Sequence, residues 1–383
     1  MSLIDWVVLL GFLAGVGIAI DLLLGQRKLV RATTLPTWSG ARAPLVSIIV
    51  PARNEERKIE SGLLSMLGQR WPALEVIAVD DRSTDETGRR IEAIARDDPR
   101  VRVERVTELP HGWLGKNHAL HLGASRARGE WLLFADADVV LHPDLLGRAM
   151  RFAADRGLDH VALAPEFRLP GRVLEAFAAG FIISFHVFLR PWKARDPASS
   201  AFVGIGAFNL VRREAYLRAH GHEAIRLRPD DDVKLGKILK RSGARQDMLI
   251  GTGLASVEWY ASVGELVRGL EKNAFAGLDY RVWLAVFGSA FHLLLWIGPL
   301  VGVVVLRGWP QLLCAVLVAG TAALYAFVSR EVGLRARTAL LYPLFALLFN
   351  GIILRTMVVN LAQGGIRWRG TFYPLKELRA NRV

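Results

Sequence analysis

Three absences limit what this sequence can encode. Cys314 is the single cysteine in 383 residues, so neither a disulfide framework nor a cysteine-based metal site can form. The first apolar run has no basic start and no small-x-small cleavage site, which argues against a signal peptide. The net charge is +13, but no nucleic-acid-binding motif accompanies it. Lysine and arginine cluster beside apolar runs, which favours contact with anionic lipid headgroups over nucleic acid.

Long apolar runs are what the sequence has in excess. Hydrophobic residues make up 52% of the chain. Each run approaches or exceeds the roughly 20 residues that a membrane-spanning helix needs. Because Arg27, Lys28 and Arg31 follow the first run, we expect an uncleaved anchor whose far end lies in the cytosol. The runs are residues 3–24, 282–306, 310–328 and 338–360.

The last apolar run raises a question of topology. Three full C-terminal spans would place the basic tail, residues 361–383, outside the cytosol, against the positive-inside tendency. Pro343, the Asn350–Gly351 pair and Arg355 interrupt this run. We therefore expect it to be re-entrant or bent back.

Between the apolar runs, short apolar strands alternate with helical patterns, as in "LVSIIVPARNE", "LEVIAVDDRSTDET" and "EWLLFADAD". This alternation predicts an α/β fold with a mostly parallel sheet that is covered on both faces. In such sheets ligands bind beyond the carboxyl ends of the strands. The polar residues at predicted strand ends are Asn54, Asp80, Asp81, Asp136 and Asp138.

One aromatic segment, residues 167–192, lies between the strand-end acids and a later acidic run. Its continuous apolar part, residues 177–189, is too short to span, and charged residues flank it. An interfacial helix is expected, with a buried core helix as the alternative. The expected organisation is an anchor (1–26), a linker (27–44), an α/β domain (45–260), a juxtamembrane segment (261–281), a C-terminal transmembrane region (282–360) and a basic cytosolic tail (361–383).

The "DAD" at Asp136–Asp138 suits a divalent cation. Two carboxylates can hold Mg²⁺ or Mn²⁺, which keeps other positions for water and substrate phosphates. An alternative is that both aspartates cap the following helix. "LLFADADVV" also satisfies a haloacid-dehalogenase signature, but that family normally opens with this strand, and here three strand–acid units precede it.

Five motifs in order resemble family 2 glycosyltransferases with the GT-A fold: "VSIIVPARNE", "VDDRSTDET", "GKNHAL", "DAD" and "DDDVKLG". The resemblance covers roughly residues 45–260 and the membrane layout. The chain is similar to membrane-bound members of this family that act on lipids, such as ceramide glucosyltransferases and the hopanoid- and carotenoid-associated bacterial enzymes. The resemblance implies a nucleotide-sugar donor, Mg²⁺ or Mn²⁺, and inversion at the anomeric carbon.

Matching positions carry the family's roles onto this chain. Asp81 matches the acid that contacts the base, and Lys116 matches a lysine near the donor. Asp136 is expected to face the ribose or the metal, and Asp138 to ligate the metal. The turn that is expected to line the nucleotide pocket consists of Pro51, Ala52, Arg53, Asn54 and Glu55.

The "DDDVKLG" run places the expected catalytic base at Asp232, with Asp231 as the second candidate. An acceptor hydroxyl needs a positioned base. Three adjacent aspartates repel one another, so at least one pKa in the cluster should be raised. The alternative, a solvated acidic helix start, suits Asp230 best.

One departure from the family argues against polymer synthesis. Processive relatives carry Gln-x-x-Arg-Trp after the base, and here the nearest string, "QGGIRW" (363–368), has one residue too many. Arg268 and Lys272 either neutralise the diphosphate or form a basic collar at the membrane. His118 and His121 have helical i, i+3 spacing but no third zinc ligand, and the sequence does not decide whether His222 touches the acceptor.

The expected function is transfer of a sugar from a nucleotide-diphosphate sugar to a membrane lipid. The expected protein is a multi-pass enzyme of the cell (inner) membrane with a cytosolic catalytic domain. One alternative is a polyprenyl-phosphate sugar synthase, whose acceptor is already ionised. Another is a non-catalytic scaffold or lipid translocator with a degenerate sugar-nucleotide domain.

Overall fold

A computed structural model describes residues 2–383. The chain forms two compact units. The α/β unit comprises Leu29–Arg168, Pro191–Glu258 and Ala380–Val383. The helical unit comprises the N-terminal residues up to Lys28 together with Leu169–Arg190 and Trp259–Arg379. Each unit is therefore assembled from segments that are distant in the sequence.

The strands of the described chain are β1 (Val30–Arg31), β2 (Val46–Ala52), β3 (Leu74–Asp81), β4 (Val101–Val106), β5 (Trp131–Phe134), β6 (Val139–Leu141), β7 (His160–Ala164), β8 (Glu166–Arg168), β9 (Asn209–Arg212), β10 (Gln246–Ile250), β11 (Ala255–Glu258), β12 (Gly365–Trp368) and β13 (Thr371–Pro374). The α-helices are α1 (Leu3–Gln26), α2 (Ile59–Leu67), α3 (Thr87–Asp97), α4 (Gly115–Arg126), α5 (Leu145–Arg156), α6 (Arg172–Leu189), α7 (Arg213–Arg218), α8 (Gly221–Ala224), α9 (Asp231–Arg241), α10 (Val263–Leu270), α11 (Val282–Trp296), α12 (Gly298–Val305), α13 (Trp309–Glu331), α14 (Tyr342–Gln363) and α15 (Leu375–Ala380). Short 3₁₀ segments lie at Ala32–Thr34, Pro191–Lys193, Ala276–Leu278 and Ala336–Leu341.

The main sheet of the α/β unit confirms the predicted fold class. Its strand order is β1-β10-β7-β9-β5-β2-β3-β4. Only β9 runs antiparallel to its neighbours, β5 and β7, among the described strands of this sheet. A second sheet, β6-β11-β8, belongs to the same unit. The three strand segments quoted from the sequence correspond to β2, β3 and β5, and they pair in parallel as predicted.

The central strands are buried on both faces, as a covered parallel sheet requires. Ile48 and Val50 of β2 face one hydrophobic cluster, which includes Phe152. Ile49 between them faces the other cluster, which includes Phe134. Because β2 lies between β3 and β5, the carboxyl ends of these three strands lie side by side. This arrangement brings the predicted strand-end residues together.

Among residues 2–383, four helices or helical segments are long and apolar enough to cross a membrane: Leu3–Gln26, Arg172–Lys193, Trp309–Glu331 and Ala336–Gln363. A fifth candidate is the pair α11 and α12, which is bent by 47° at its break. The expected interruption of the last apolar run is therefore wrong, because α14 is an unbroken helix. Pro343 lies in its first turn, where a missing N–H group costs no helical hydrogen bond. Arg355 lies 2.6 Å from Glu271, so its charge is paired.

The segment at residues 167–192 also differs from its expectation. Its helix α6 has 18 residues and passes the length and composition criteria for a span, so the argument from length was wrong. The connectivity nevertheless excludes a crossing. Strands before α6 and strands after it pair in one sheet, β7 with β9 and β10. A single crossing would place these strands on opposite sides of the membrane, so both ends of α6 lie on the same side.

The "QGGIRW" segment forms an antiparallel hairpin with the residues that follow it. Strand β12 pairs with β13, and the Lys272 ammonium lies 4.1 Å from the centre of the Trp368 ring. Lys272 therefore contacts the aromatic residue of this string, while Arg268 lies exposed on α10. Both residues belong to the helical unit.

Candidate active site

The turns after β2 and β3 are held against each other by polar contacts. Asn54 and Arg82 both adopt positive φ, at 55° and 56°, a conformation that non-glycine residues rarely adopt. The Asn54 N–H donates to Ser83 Oγ at 3.1 Å, and Asn54 Oδ1 accepts from the Thr84 N–H at 2.9 Å. The Glu55 N–H donates to Thr87 Oγ1 at 2.7 Å. These contacts fix the "PARNE" turn, including Pro51 and Ala52 at the end of β2, beside the "DDRSTD" turn.

Asp81 lies at the carboxyl end of β3, where its side chain is buried and paired. Arg82 donates to both carboxylate oxygens, from Nε at 2.7 Å and from Nη2 at 3.1 Å. Arg53 adds a second cationic group, with Nη1 3.7 Å from Oδ2. A carboxylate with these partners is acceptor-only and already satisfied. A ligand that hydrogen-bonds Asp81 must therefore share it with Arg82.

The two aspartates of "DAD" follow β5 and precede β6, so they do not cap a helix. The next helix, α5, begins at Leu145, which makes the capping alternative wrong. Ala135 and Ala137 are buried, and the aspartate side chains that alternate with them are partly exposed. Lys116 Nζ lies 2.8 Å from Asp136 Oδ1, and Lys58 Nζ lies 3.7 Å from Asp138 Oδ2.

The acidic run begins helix α9, and its side chains lie beside Lys116 and Asp136. Asp231 is 5% exposed, and its Oδ2 lies 3.3 Å from Lys116 Nζ. Asp232 accepts hydrogen bonds from the N–H groups of Gly206 and Val233, both at 2.8 Å. Lys116 therefore joins the aspartate that follows β5 to the aspartate that begins α9.

Asp230 is not the solvated acid that the alternative required. Its carboxylate is paired bidentately with Arg228, at 2.9 and 3.0 Å, and Arg228 is 1% exposed. Lys234 Nζ lies 3.7 Å from the same carboxylate. Asp230 thus anchors the start of α9, and the two following aspartates are left to line the site.

The loop before β9 has to be glycine-rich because it packs against both acidic elements. A Cβ at Gly206 would lie 2.8 Å from Asp136 Oδ2 and 3.4 Å from Asp232 Oδ2. A Cβ at Gly204 would lie 1.9 Å from the Asp232 carbonyl oxygen. The Gly206 carbonyl also accepts from the Asp136 N–H at 3.2 Å. The string "VGIGAFN" encodes this loop, and it lies outside the five motifs.

These residues enclose one small cavity. It is lined by Lys116, Leu120, Phe134, Ala135, Asp136, Gly206, Asn209, His222, Asp231, Asp232 and Leu235. His222, which the sequence left undecided, is buried there and lies within 3.1 Å of the Tyr216 hydroxyl. His118 and His121 pack against Trp113, with ring centres 5.6 and 4.9 Å away. Within residues 2–383, no three His, Cys, Asp or Glu side chains form a group suited to a metal ion.

Three charged residues of the site have shifted pKa values: Lys116, Asp138 and Asp232. Burial opposes the charge of Lys116, but Asp136, Asp231 and Asp232 together raise its pKa. Burial raises the pKa of Asp138 to about 6; Asp136 and Glu55 add to the shift, and Lys58 opposes it. Burial also raises the pKa of Asp232, with Asp136 adding and Lys116 opposing. The expected rise in the acidic run is present, but its causes are burial and Asp136, not the neighbouring aspartates of the run.

His222 is the buried neutral member of the cavity. Burial, with the nearby charges of Lys116 and His121, lowers the pKa of His222 to about 3. The ring therefore stays uncharged at neutral pH. It adds polar surface to the cavity without adding charge.

The chain is similar in sequence to known glycosyltransferases. Residues 47–218 match the family model described as "Glycosyl transferase family 2". The 4,4'-diaponeurosporenoate glycosyltransferase of Staphylococcus aureus (strain USA300) is 24% identical over 369 residues, which cover 93% of this chain and 94% of that protein. The protein of the same name from strain bovine RF122 is 29% identical over 204 residues, 53% of this chain and 52% of that protein.

A solved structure shares the fold. The mannosyltransferase PcManGT from Pyrobaculum calidifontis, in complex with GDP-Man and Mn²⁺, superposes with a TM-score of 0.56 at 20% identity. The superposition covers 92% of this chain and 99% of that one. It confirms the GT-A architecture inferred from the sequence motifs.

Proposed function

Because the chain carries a family 2 glycosyltransferase domain and is a glycosyltransferase, we propose that it moves a sugar from a nucleotide-diphosphate sugar to a membrane lipid, with inversion. The observation that carries the proposal is the shared cavity of Asp136 and Asp232. The Gly206 backbone contacts both residues, through its carbonyl and through its N–H group. Asp136 of the donor motif and the candidate base Asp232 thus contact the same loop residue, and we propose that both reach one substrate.

The donor half of the site is assigned to the turns after β2 and β3. The nucleotide lies against the "PARNE" turn, and Asp81 with Arg82 faces the base. These turns carry two positive-φ residues and cross-turn hydrogen bonds, which is the preorganisation that a binding site needs. The sugar then extends past the end of β5 to the cavity.

A divalent cation fits the residues beside Asp138. Hard carboxylate oxygens are the ligands that Mg²⁺ and Mn²⁺ prefer. Burial is the main cause of the raised pKa of Asp138, and the nearby Asp136 and Glu55 carboxylates raise it further against the opposing charge of Lys58, so a second cation would be favoured here. Asp138 and Asp136 would hold the ion, which neutralises charge on the departing diphosphate when bound. The remaining positions would be filled by water and diphosphate oxygens, since two carboxylates alone do not complete its coordination.

Asp232 is assigned as the general base, with Asp231 held by Lys116 as its neighbour. The hydrogen bonds from Gly206 and Val233 orient the Asp232 carboxylate. Its raised pKa makes it a better proton acceptor than an ordinary aspartate. It removes the proton from the acceptor hydroxyl as that oxygen attacks the anomeric carbon. Direct displacement of the diphosphate inverts that carbon.

The lipid acceptor is supported by two observations of different kinds. The chain has several helices that are long and apolar enough to cross a membrane, and a soluble acceptor would not require them. A relative that matches 93% of this chain is named for transfer to diaponeurosporenoate, a carotenoid. A carboxylate acceptor of that kind is already ionised, and it would make less use of Asp232 than a hydroxyl would.

We propose that the α/β unit lies in the cytosol, as Arg27, Lys28 and Arg31 after the first apolar run favour, and the chain connectivity limits how many segments cross. The tail, Ala380–Val383, bonds within the α/β unit: the Leu227 N–H donates to Asn381 Oδ1 at 2.9 Å, and Lys237 Nζ donates to the Val383 carbonyl at 2.8 Å. The chain therefore leaves this unit after Glu258 and returns to it, so it crosses the membrane an even number of times in between. At least one of the three apolar segments, α11–α12, α13 and α14, does not cross.

Contacts inside the helical unit support the choice of α14 as the segment that does not cross. Arg335, between α13 and α14, donates to both carboxylate oxygens of Glu175 at 2.6 and 2.8 Å. Glu175 lies in the first turn of α6, whose two ends are on the α/β side. The end of α13 and the start of α14 therefore lie on that side, and α14 ends there as well. We assign crossings to α1, to the bent pair α11–α12 and to α13, in a multi-pass protein of the cell (inner) membrane, with the expected domain boundaries.

The test uses the purified full-length protein in detergent with a panel of nucleotide sugars, including UDP-glucose and GDP-mannose. Donor hydrolysis and transfer to a lipid extract are measured with Mn²⁺, with Mg²⁺ and with EDTA, and the lipids are identified by mass spectrometry. A glycolipid that forms only with a cation supports the proposal. A sugar released from a lipid phosphate by mild acid would instead identify a polyprenyl-phosphate sugar synthase. Absence of both turnover and nucleotide binding would favour the scaffold or translocator.

A further inference from the structure

Lys58 is the cation nearest to Asp138, and no motif pointed to it. It is the residue that caps the start of α2, immediately after the "PARNE" turn. Its ammonium donates to the Glu258 carbonyl at 3.0 Å, lies 3.6 Å from Glu258 Oε2 and lies 3.7 Å from Asp138 Oδ2. One lysine thus contacts the end of β11 and the second aspartate of "DAD".

Strand pairing explains why these groups meet. Strand β11 runs antiparallel to β6, with Val257 opposite Val139. The next pair along the ladder is Glu258 and Asp138, so both acids lie at one end of this small sheet. Lys58 reaches that end from the neighbouring α2 turn. Its position is therefore set by three separate elements of the α/β unit.

The location is electrostatically unusual for a lysine. The N-terminus of a helix carries partial positive charge, which disfavours a cation at the cap. Lys58 has no capping hydrogen bond to compensate. The same helix end attracts phosphate oxygens. The cap of α2 is also joined directly to the turn assigned to the nucleotide.

Lys58 pairs with Asp138 and Lys116 pairs with Asp136, but the two ion pairs differ in length and exposure. Lys116 makes a 2.8 Å contact with Asp136 and a second ion pair with Asp231. The ion pairs of Lys58 are longer, at 3.6 and 3.7 Å, and its side chain is 33% exposed. A flexible four-carbon stem lets such an ammonium change partners.

We infer that Lys58 is a donor-binding residue: it neutralises Asp138 in the ligand-free site and contacts the donor diphosphate once that group enters with its cation. This inference rests on the proposed function. Lys58 competes with the cation for Asp138 while the site is empty. It assists the diphosphate when the donor is present. Removal of the Lys58 charge should therefore strengthen the binding of Mn²⁺ alone and weaken the binding of the nucleoside diphosphate.

The experiment measures both steps on the full-length protein. Mn²⁺ binding without nucleotide is followed by electron paramagnetic resonance. UDP and GDP binding at saturating Mn²⁺ is followed by calorimetry. In Lys58→Gln, Mn²⁺ should bind several-fold more tightly, because a competing cation is gone. The nucleoside diphosphate should bind about tenfold more weakly, because one charge-assisted contact is lost.

Matched variants define the controls. Arg57→Gln removes the same charge from the adjacent exposed residue and should change neither constant. Lys58→Arg keeps the charge and should retain most of the nucleotide affinity. A purely structural role, tying α2 to Glu258, would weaken both binding steps in Lys58→Gln. That result, or no change in either constant, overturns the inference.

A measurement on the wild-type protein covers the case in which Lys58→Gln does not fold. Lysine acetylation followed by mass spectrometry reports the accessibility of the Lys58 amine. UDP or GDP with Mn²⁺ should reduce acetylation at Lys58 severalfold, while exposed Lys376 should be unaffected. Unchanged acetylation when the nucleotide is bound overturns the inference. Failure of both nucleotides to bind the wild-type protein would instead contradict the proposed function.

Discussion

The Lys116 ammonium lies 2.8 Å from Asp136, and this pair connects the two halves of the site. The same nitrogen lies 3.3 Å from Asp231 at the start of α9. Asp136 follows the strand assigned to the donor, while Asp231 precedes the candidate base. One half-buried cation therefore sets the spacing between Asp136, which is assigned to the donor side, and the start of α9, which carries the candidate base.

Replacement of this cation should disable the site with a moderate loss of stability. In Lys116→Met, Asp136 and Asp231 lose their shared partner, so their carboxylates repel each other and separate. We expect transfer to fall by about 10²-fold and the free energy of unfolding to fall by about 1–2 kcal/mol, since the pair is partly solvated. Turnover assays and thermal unfolding measure the two effects. Lys376→Met, on exposed α15, is the control; equal losses in both variants would contradict this role for Lys116.

The base assignment is tested by removing proton acceptance while keeping shape. Asp232→Asn should reduce transfer to a hydroxyl acceptor by about 10²-fold or more, with donor binding retained. Because the pKa of Asp232 is raised, wild-type transfer should also decline as the pH falls through that pKa, where the carboxylate becomes protonated. A carboxylate acceptor would leave Asp232→Asn nearly active. If Asp231→Asn is inactive and Asp232→Asn is normal, the base is Asp231.

Asp138 should be required for turnover but unfavourable for the stability of the ligand-free fold. Its folded pKa of about 6 lies above the ordinary value of 3.8, so ionisation of Asp138 lowers the stability of the folded state, and this penalty is present in full above about pH 6. Asp138→Asn removes that penalty, and at pH 7.5 it should raise the free energy of unfolding by about 1 kcal/mol. Thermal unfolding checks this. A drop in stability would show that the charge of Asp138 is needed by the fold.

The same carboxyl gives the metal step a pH dependence. Protons and Mn²⁺ compete for Asp138, so Mn²⁺ affinity should fall as the pH decreases below about 6 and level off above it. Titration of the paramagnetic signal at several pH values measures this. Full turnover in EDTA would remove the cation from the proposed function altogether.

Gly206 should be essential because of its position and not because of its flexibility. In Gly206→Ala the new methyl group would lie 2.8 Å from Asp136 Oδ2 and 3.4 Å from Asp232 Oδ2, so the carboxylates must move. Displacements of this size in an active site commonly cost about 10²-fold in rate. Gly147→Ala, in α5, meets no atom closer than 3.6 Å and should keep full activity. If both variants are equally active, the cavity does not hold the reacting groups.

The topology makes an independent prediction about three loops. Cysteines introduced at Arg307 in a Cys314→Ser background should be labelled from outside the cell if α11–α12 crosses the membrane, as proposed. Cysteines at Arg337 or Arg369 should be labelled only from the cytosolic side, because the proposed topology places both ends of α14 on that side. Labelling of position 369 from outside would contradict the even number of crossings.

The sequence alone determined the features that are encoded locally. Apolar strands that end in acids predicted the parallel sheet, and the order of five motifs predicted the family, because each depends on neighbouring residues. It also identified every acidic residue that lines the cavity, including Asp136 and Asp232. Those carboxylates are recognisable as single residues, without knowledge of their partners.

Only the tertiary structure decided what those acids contact and how the chain runs. Lys58 and Gly206 contact residues that are far away in the sequence, and no local pattern encodes such pairs. The apolar runs were equally ambiguous, since α6 and α13 are both long and apolar enough to cross a membrane, but the strands that flank α6 do not allow it to cross. The decisive fact is that strands on both sides of α6 share one sheet, and hydrogen-bonded strands cannot lie on opposite sides of a membrane.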